Sequence, residues 1–560
     1  VRNTMRHRRA LALIVGTVIL VAPLAAGCGT DKNAPVHYRT DARLSTYNPA
    51  SITGSADGVL MALTRVLGGF SVLGPQGQVI SDRDVGDVEL APGPTLTVRY
   101  TFSPDAVYSD GAKPACDDLV LAWAAQSGKF RGFTPATTAG YRDIERIDCE
   151  PGSSTAIARF HKGRSYRDWR GLFGAGSMMP AHIVARDAGV PNVVEPIRKR
   201  NQAAIAALAK SWNTGFDLPN GQLDPARFVS SGPYRAESFD AENGLRLVRN
   251  EKWWGEPARV PTVFVFGRNT ETSARAAAGG FDVVDATVGI EAAPEGAEPA
   301  KPQVSPANAS LSTEQLVLAQ RGVLGSSPAR QAFGACVPRD ELARSFGYGS
   351  QPWNLHVLTP ANDLADPING QFGLRYARPD IARARELAGQ RPQGRPGQLR
   401  VRVGYLGPDQ RRQQMVAAIT ASCRRAGIDV VDAGGPDIAV AGLGSRFDVL
   451  LLNTGASFAA AGAADVARDA FALFGGDPLN IGDFRDRAAT DSVAKLSVTT
   501  VAGDQLAVSR TMETATWREL AAIPLFATPR EQTWSDKLSG VIAGRARNGT
   551  GWNMDRWSRS

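Results

Sequence analysis

One stretch of this 560-residue chain limits its fate more than any other: the apolar run from Leu11 to about Ala26, the only long one in the sequence. It follows a segment holding Arg2, Arg6, Arg8 and Arg9 and no acid. The run falls short of the roughly 20 residues a spanning helix needs, and Pro23 breaks its end. Residues 1–27 therefore read as a secretory signal, and everything downstream is expected to fold outside the cytoplasm. With no second such run, a multispanning membrane protein is excluded.

Ala25, Ala26 and Gly27 lead into Cys28. This ending resembles a bacterial lipobox, with Leu24 one place early and Ala25 in its usual position. Cys28 is then the expected lipidation site and mature N-terminus, holding the chain to the outer face of the cytoplasmic membrane. Two acyl chains anchor stably where one is marginal. Residues 28–38 read as the lipidated cysteine and a tether. Four cysteines remain: Cys116, Cys149, Cys336 and Cys423. An even number in an exported chain predicts two bridges, with three connectivities open. Cys116–Cys149 with Cys336–Cys423 is preferred, because each pair then lies inside one expected domain.

At 59.4 kDa, with 43% hydrophobic and 21% charged residues, the chain is globular and too long for one core. The net charge of +8 looks like a nucleic-acid signal, but the four leader arginines supply half of it. The remaining excess is spread without a basic block, so no nucleic-acid partner is expected. Phosphate-binding glycine loops, the Gly-x-Ser-x-Gly elbow and His-Glu-x-x-His are absent from the sequence. His161, His182 and His356 stand far apart, and no Cys-x-x-Cys occurs. No catalytic residue, metal or cofactor is expected.

Periodicity predicts strands at 96–102, 144–147, 155–160, 245–249 and 263–266 and helices at about 56–67, 119–126, 181–187 and 202–212. Helices are expected again at 328–335, 339–345, 381–388 and 410–426. The stretch 399–452 reads strand–helix–strand–strand, a parallel α/β unit. A Pro, Ala and Glu-rich connection spans 285–308, and 389–398 is a surface loop. A self-contained α/β domain over roughly 270–523, flanked by a mixed domain that the C-terminal tail completes, implies two lobes, two crossings and a hinge over a cleft.

Several segments together resemble family 5 of the bacterial extracellular solute-binding proteins, the oligopeptide/dipeptide-binding group of ABC importers. They are Leu44–Pro49, the strand, Tyr-Ser-Asp-Gly turn and Asp-Asp helix of Tyr100–Trp123, and Met179–His182. Ser231–Tyr234 with Leu247–Gly255, Phe281–Val284, Ala329–Ala335 with Arg339–Leu342, and Ile523–Phe526 follow in order. The resemblance runs from about residue 36 to 557.

It implies an α/β, periplasmic-binding-protein-like fold of two lobes with an extra subdomain in the first. Lobe I is expected at 39–270, with the subdomain at about 72–225, lobe II at 271–523, and a return to lobe I at 524–560. The implied function is capture of a peptide or related solute between the lobes and delivery to an ABC permease, by a monomer. Peptide-binding relatives place an Asp after the strand matching Phe447–Asn453, whereas here that loop reads Asn453 to Phe458 without an acid. A blocked, neutral or differently oriented ligand follows, or a cell-envelope lipoprotein that senses or scaffolds instead of transporting. Candidate cleft residues are Tyr47 and Asn48 in the first turn, Trp353, Asn354 and His356 in lobe II, and Asn453 and Thr454 at a strand end.

Overall fold

The computed structural model describes residues 31–277, 280–290, 304–390, 399–459 and 462–560. The signal, Cys28, most of the Pro, Ala and Glu-rich connection and residues 391–398 lie outside the described residues. No helix among those described is long and apolar enough to cross a membrane.

Lobe I is built on a seven-stranded sheet. Its order is Arg530–Trp534, Val283–Thr287, Val36–Thr40, Thr262–Phe266, Gly244–Arg249, Tyr234–Asp240 and Gly221–Gln222. Val36–Thr40 runs parallel to both its neighbours; the other pairings are antiparallel. This corrects the expected tether. Val36 and Tyr38 are fully buried, because alternate residues of a strand point into one core.

The subdomain is a four-stranded antiparallel sheet, ordered Gly86–Leu90, Thr97–Phe102, Thr155–Phe160, Ile144–Asp148. The helix Cys116–Gln126 packs against it. Asp118 in the first turn accepts from the Ala115 N–H at 2.9 Å and the Ala181 N–H at 2.7 Å, tying two helix starts together. The bridge Cys116–Cys149 joins this helix to the end of the last strand.

Lobe II carries a five-stranded sheet in the order Asp429–Asp432, Arg400–Gly404, Val449–Asn453, Thr313–Leu318, Ala522–Ala527. The first three strands are parallel and enclose the helix Gln410–Arg424, as the strand–helix–strand–strand pattern predicts. Val449–Asn453 is buried at every position, so its sequence shows no alternation. Cys336, ending the helix Ser327–Cys336, is bonded to Cys423.

The lobe boundaries differ from those expected. Val283–Thr287 still pairs in the lobe I sheet, and Ala522–Ala527 pairs wholly in lobe II. Strand membership is set by the partner across the ladder, which composition does not reveal. The helix expected over 56–67 is two, Ile52–Asp57 and Leu60–Leu63, parted at Gly58 with φ +72°.

The two crossings lie side by side. The Thr528 N–H donates to the Ser312 carbonyl, and the Val288 N–H to the Pro529 carbonyl, both at 3.0 Å. Buried charge flanks them. Glu314 takes both terminal nitrogens of Arg411 at 2.6 Å and Arg412 Nη2 at 3.0 Å. Arg411 Nε donates to the Val288 carbonyl at 2.9 Å. Arg530 pairs with Asp285 at 2.6 Å on the lobe I side.

Candidate functional site

A cavity of about 90 Å³ lies where the parts meet. Its walls are drawn from positions 49–60 of lobe I, 126–177 of the subdomain, 455–468 of lobe II and Arg547 of the C-terminal return. Lobe II contributes the turn after Val449–Asn453, whose Gly455 takes φ +75°, a conformation glycine adopts without steric cost.

Most polar side chains of the wall are already engaged with the protein. Gln126 Nε2 donates to the Ser177 carbonyl at 3.0 Å, and the Tyr141 hydroxyl accepts from the Phe173 N–H at 2.9 Å. Arg468 pairs with Asp469 at 2.7 Å and reaches Ser55 Oγ at 3.2 Å. Three side chains differ: the Tyr166 hydroxyl, the Asp168 carboxylate and the Arg547 guanidinium make no hydrogen bond or ion pair to any described residue. Burial, with repulsion from Asp465 added, pushes the Asp168 carboxyl up to about 7. Burial and the neighbouring Arg468 pull Arg547 down to about 10, so it remains charged at neutral pH.

Polar contacts around the cavity hold lobe II against lobe I and its subdomain. Arg167 pairs with Asp465 at 2.6 Å and donates to the Leu496 carbonyl at 2.9 Å. The Thr138 N–H and hydroxyl both donate to one oxygen of Asp477, at 2.8 and 2.6 Å. Arg164 reaches the Ala494 carbonyl at 2.8 Å. The pairs form only when the lobes meet, so Asp465→Asn is expected to weaken closure by about 1–2 kcal/mol. Small-angle scattering should then give a larger radius of gyration for the ligand-free protein; an unchanged radius counts against a closing role.

Four of the seven sequence-derived candidates, Tyr47, Asn48, Asn453 and Thr454, sit behind the cavity walls rather than on their surface. Tyr47 is fully buried, its hydroxyl donating to the Val229 carbonyl at 3.1 Å. Asn48 is fully buried too and donates to the Trp212 carbonyl at 2.8 Å. Their successors Pro49 and Ala50 line the cavity. Asn453 accepts from Arg412 at 3.1 Å, and Thr454 bonds the Thr313 hydroxyl at 2.6 Å; Gly455 and Ser457 face the cavity instead. In both loops the neighbours of the candidate residues face the cavity, because tight turns aim alternate groups inward to satisfy their own backbone.

Trp353 and Asn354 are half-buried and His356 is buried in lobe II, and none of the three lines this cavity. Asn354 accepts from Arg339 at 2.9 Å, and Trp353 Nε1 donates to the Leu358 carbonyl at 2.8 Å. His356 lies between Glu513 at 2.6 Å and the Ala522 carbonyl at 3.0 Å. Tyr166, Asp168 and Arg547 were not found from sequence: they lie in irregular segments with no periodicity. The one available signal was the aromatic and charged run Tyr166 to Trp169 between turns. Cys116, Asp117 and Cys149 form the group of metal-ligand types among the described residues, but both sulfurs are committed to the disulfide.

The profile of the bacterial extracellular solute-binding proteins, family 5 Middle, matches residues 94–463. The chain belongs to this family. A relative, the Uncharacterized lipoprotein Rv2585c of Mycobacterium tuberculosis (strain ATCC 25618 / H37Rv), is 35% identical over 99% of this chain and 98% of its own length. Two solved family 5 folds are similar in architecture. The periplasmic EDTA-binding protein EppA has a TM-score of 0.72 at 18% identity, covering 94% of this chain and 97% of its own. Haemophilus influenzae OppA, solved in complex with RPPGFSPFR, has a TM-score of 0.72 at 14% identity, covering 94% and 99%. The two-lobe architecture with a subdomain in the first lobe is the fold of this chain.

Proposed function

We propose that this family 5 protein is a lipid-anchored receptor that captures a peptide or related solute between its lobes and hands it to an ABC permease. The observation that carries this reading is the cavity itself, walled by both lobes, the subdomain and the C-terminal return. A solute there touches all four, so the closed state gains contacts that the open state lacks, and the population shifts. Moving the lobes from 1:99 to 99:1 takes about 5.5 kcal/mol of differential affinity. Lipid on Cys28 keeps the receptor near its permease and raises its effective concentration without new contacts.

A thermal-shift screen of the purified chain with short peptides and envelope fragments tests capture. Stabilisation of about 2.7 kcal/mol is expected at a hundredfold excess over Kd. Absence of any response argues against a receptor. Cys28→Ala should release the protein from the membrane fraction; retention there removes the anchor.

A second reading, a non-transport envelope lipoprotein that senses or scaffolds, is favoured by the acid-free loop from Asn453 to Phe458. An acid at 453 would face Arg412 rather than the cavity. Uptake of labelled solute in cells lacking the protein separates the two. Lost uptake supports import, and intact uptake with altered envelope composition supports sensing.

A further inference from the structure

Resting on the receptor reading above, we infer that Asp168, Tyr166 and Arg547 form a two-ended subsite for a compact zwitterion of amino-acid to dipeptide size, its ammonium on Asp168 and Tyr166 and its carboxylate on Arg547. The cavity brings a carboxylate and a guanidinium to one space without joining them: neither ion-pairs with the other nor with any other described residue. Asp168 and Arg547 are both half-buried, and leaving two such charges without a partner costs free energy that a ligand with complementary ends recovers at both. The wall's other polar side chains named above are spent on the protein itself, so recognition falls to these three. The volume of about 90 Å³ suits a compact ligand better than an extended chain. The acid comes from the subdomain side, between Arg167 and Trp169, and not from the lobe II turn after Val449–Asn453. A ligand would therefore lie with its amine end toward the subdomain.

Five groups face Asp168 electrostatically: Asp465, Arg547, Arg167 and Asp469, with Tyr166 beside it. Burial and the charge of Asp465 push its carboxyl up to about 7. An ammonium needs the ionised form, so affinity should fall as pH drops below 7, approaching roughly tenfold per unit.

Calorimetric titration of the full chain tests this, with L-alanine and L-alanyl-L-alanine as zwitterions and the N-acetylated and C-amidated dipeptides as one-ended controls. A zwitterion should bind, and either blocking group should weaken binding by about tenfold or more. Asp168→Asn should erase the penalty for acetylation, Arg547→Gln that for amidation, and Arg547→Lys should keep it. Unliganded thermal midpoints check that each variant is folded. No binding of either zwitterion, equal binding of the blocked forms, or full discrimination in folded variants overturns the inference. A neutral solute recovered from the cavity by native mass spectrometry also overturns it, while leaving the receptor intact; failure of every solute to close the lobes removes both.

Discussion

Glu314→Gln is expected to destabilise the protein by about 3–5 kcal/mol at neutral pH, the cost of leaving buried charge without its partner. Glu314, Arg411 and Arg412 are all almost completely buried. Glutamine keeps the shape and removes the charge, leaving two guanidiniums facing an amide. Burial alone would raise the Glu314 carboxyl, but the charges of Arg411 and Arg412 outweigh it and hold it down to about 2. The sign follows. A depressed carboxyl stabilises fully above its unfolded value, near 4.3, and that stabilisation is lost as pH falls toward 2. Urea unfolding should show a wide gap between variant and parent at pH 7 that closes in acid. Because Arg411 also holds the Val288 carbonyl at a crossing, the variant should open more readily as well. A gap below 1 kcal/mol at pH 7 would mean that the cluster is not under electrostatic tension.

Replacing Cys336 and Cys423 together by alanine should cost about 4.5 kcal/mol, from the chain entropy of an open 87-residue loop. Both sulfurs are fully buried between two lobe II helices, so a reductant reaches them only after that lobe opens. Cys149 is 8% exposed, and the loop it closes is 33 residues, so losing that bridge should cost roughly 3.5 kcal/mol. Mass-tagging during timed reduction should label Cys149 first. Simultaneous labelling of all four would show that the lobes do not unfold separately.

Strands exposed on one face were legible, and so were several helices set between turn signals. Thr155–Phe160 alternates and was found to the residue; Gln410–Arg424 was found with its flanking strands. The helices Arg487–Leu496 and Ala502–Glu519 went unread. In the second, Ser509, Glu513 and Thr516 are buried among Val508, Met512 and Ala515, so polar and apolar positions share one face and the period disappears. Glu513 is inside because His356 meets it, a partner 157 residues away. The short strand Val283–Thr287 ends in a segment that reads as loop, and its ladders with Val36–Thr40 and Arg530–Trp534 make it part of lobe I. Around the cavity, the residues that follow Asn48 and Thr454 form the lining, while the side chains of Asn48 and Thr454 turn to partners within the protein.

Sequence alone determined the family resemblance, the α/β character of lobe II and the preferred cysteine pairing. These are carried by local pattern and by residues near one another in the chain. Tertiary structure decided which strands close each sheet and which charged groups stay unpaired. It also brought Asp168 and Arg547, 379 positions apart, to one cavity. A side chain's partners are set by what folding lays beside it, and no local pattern carries that information.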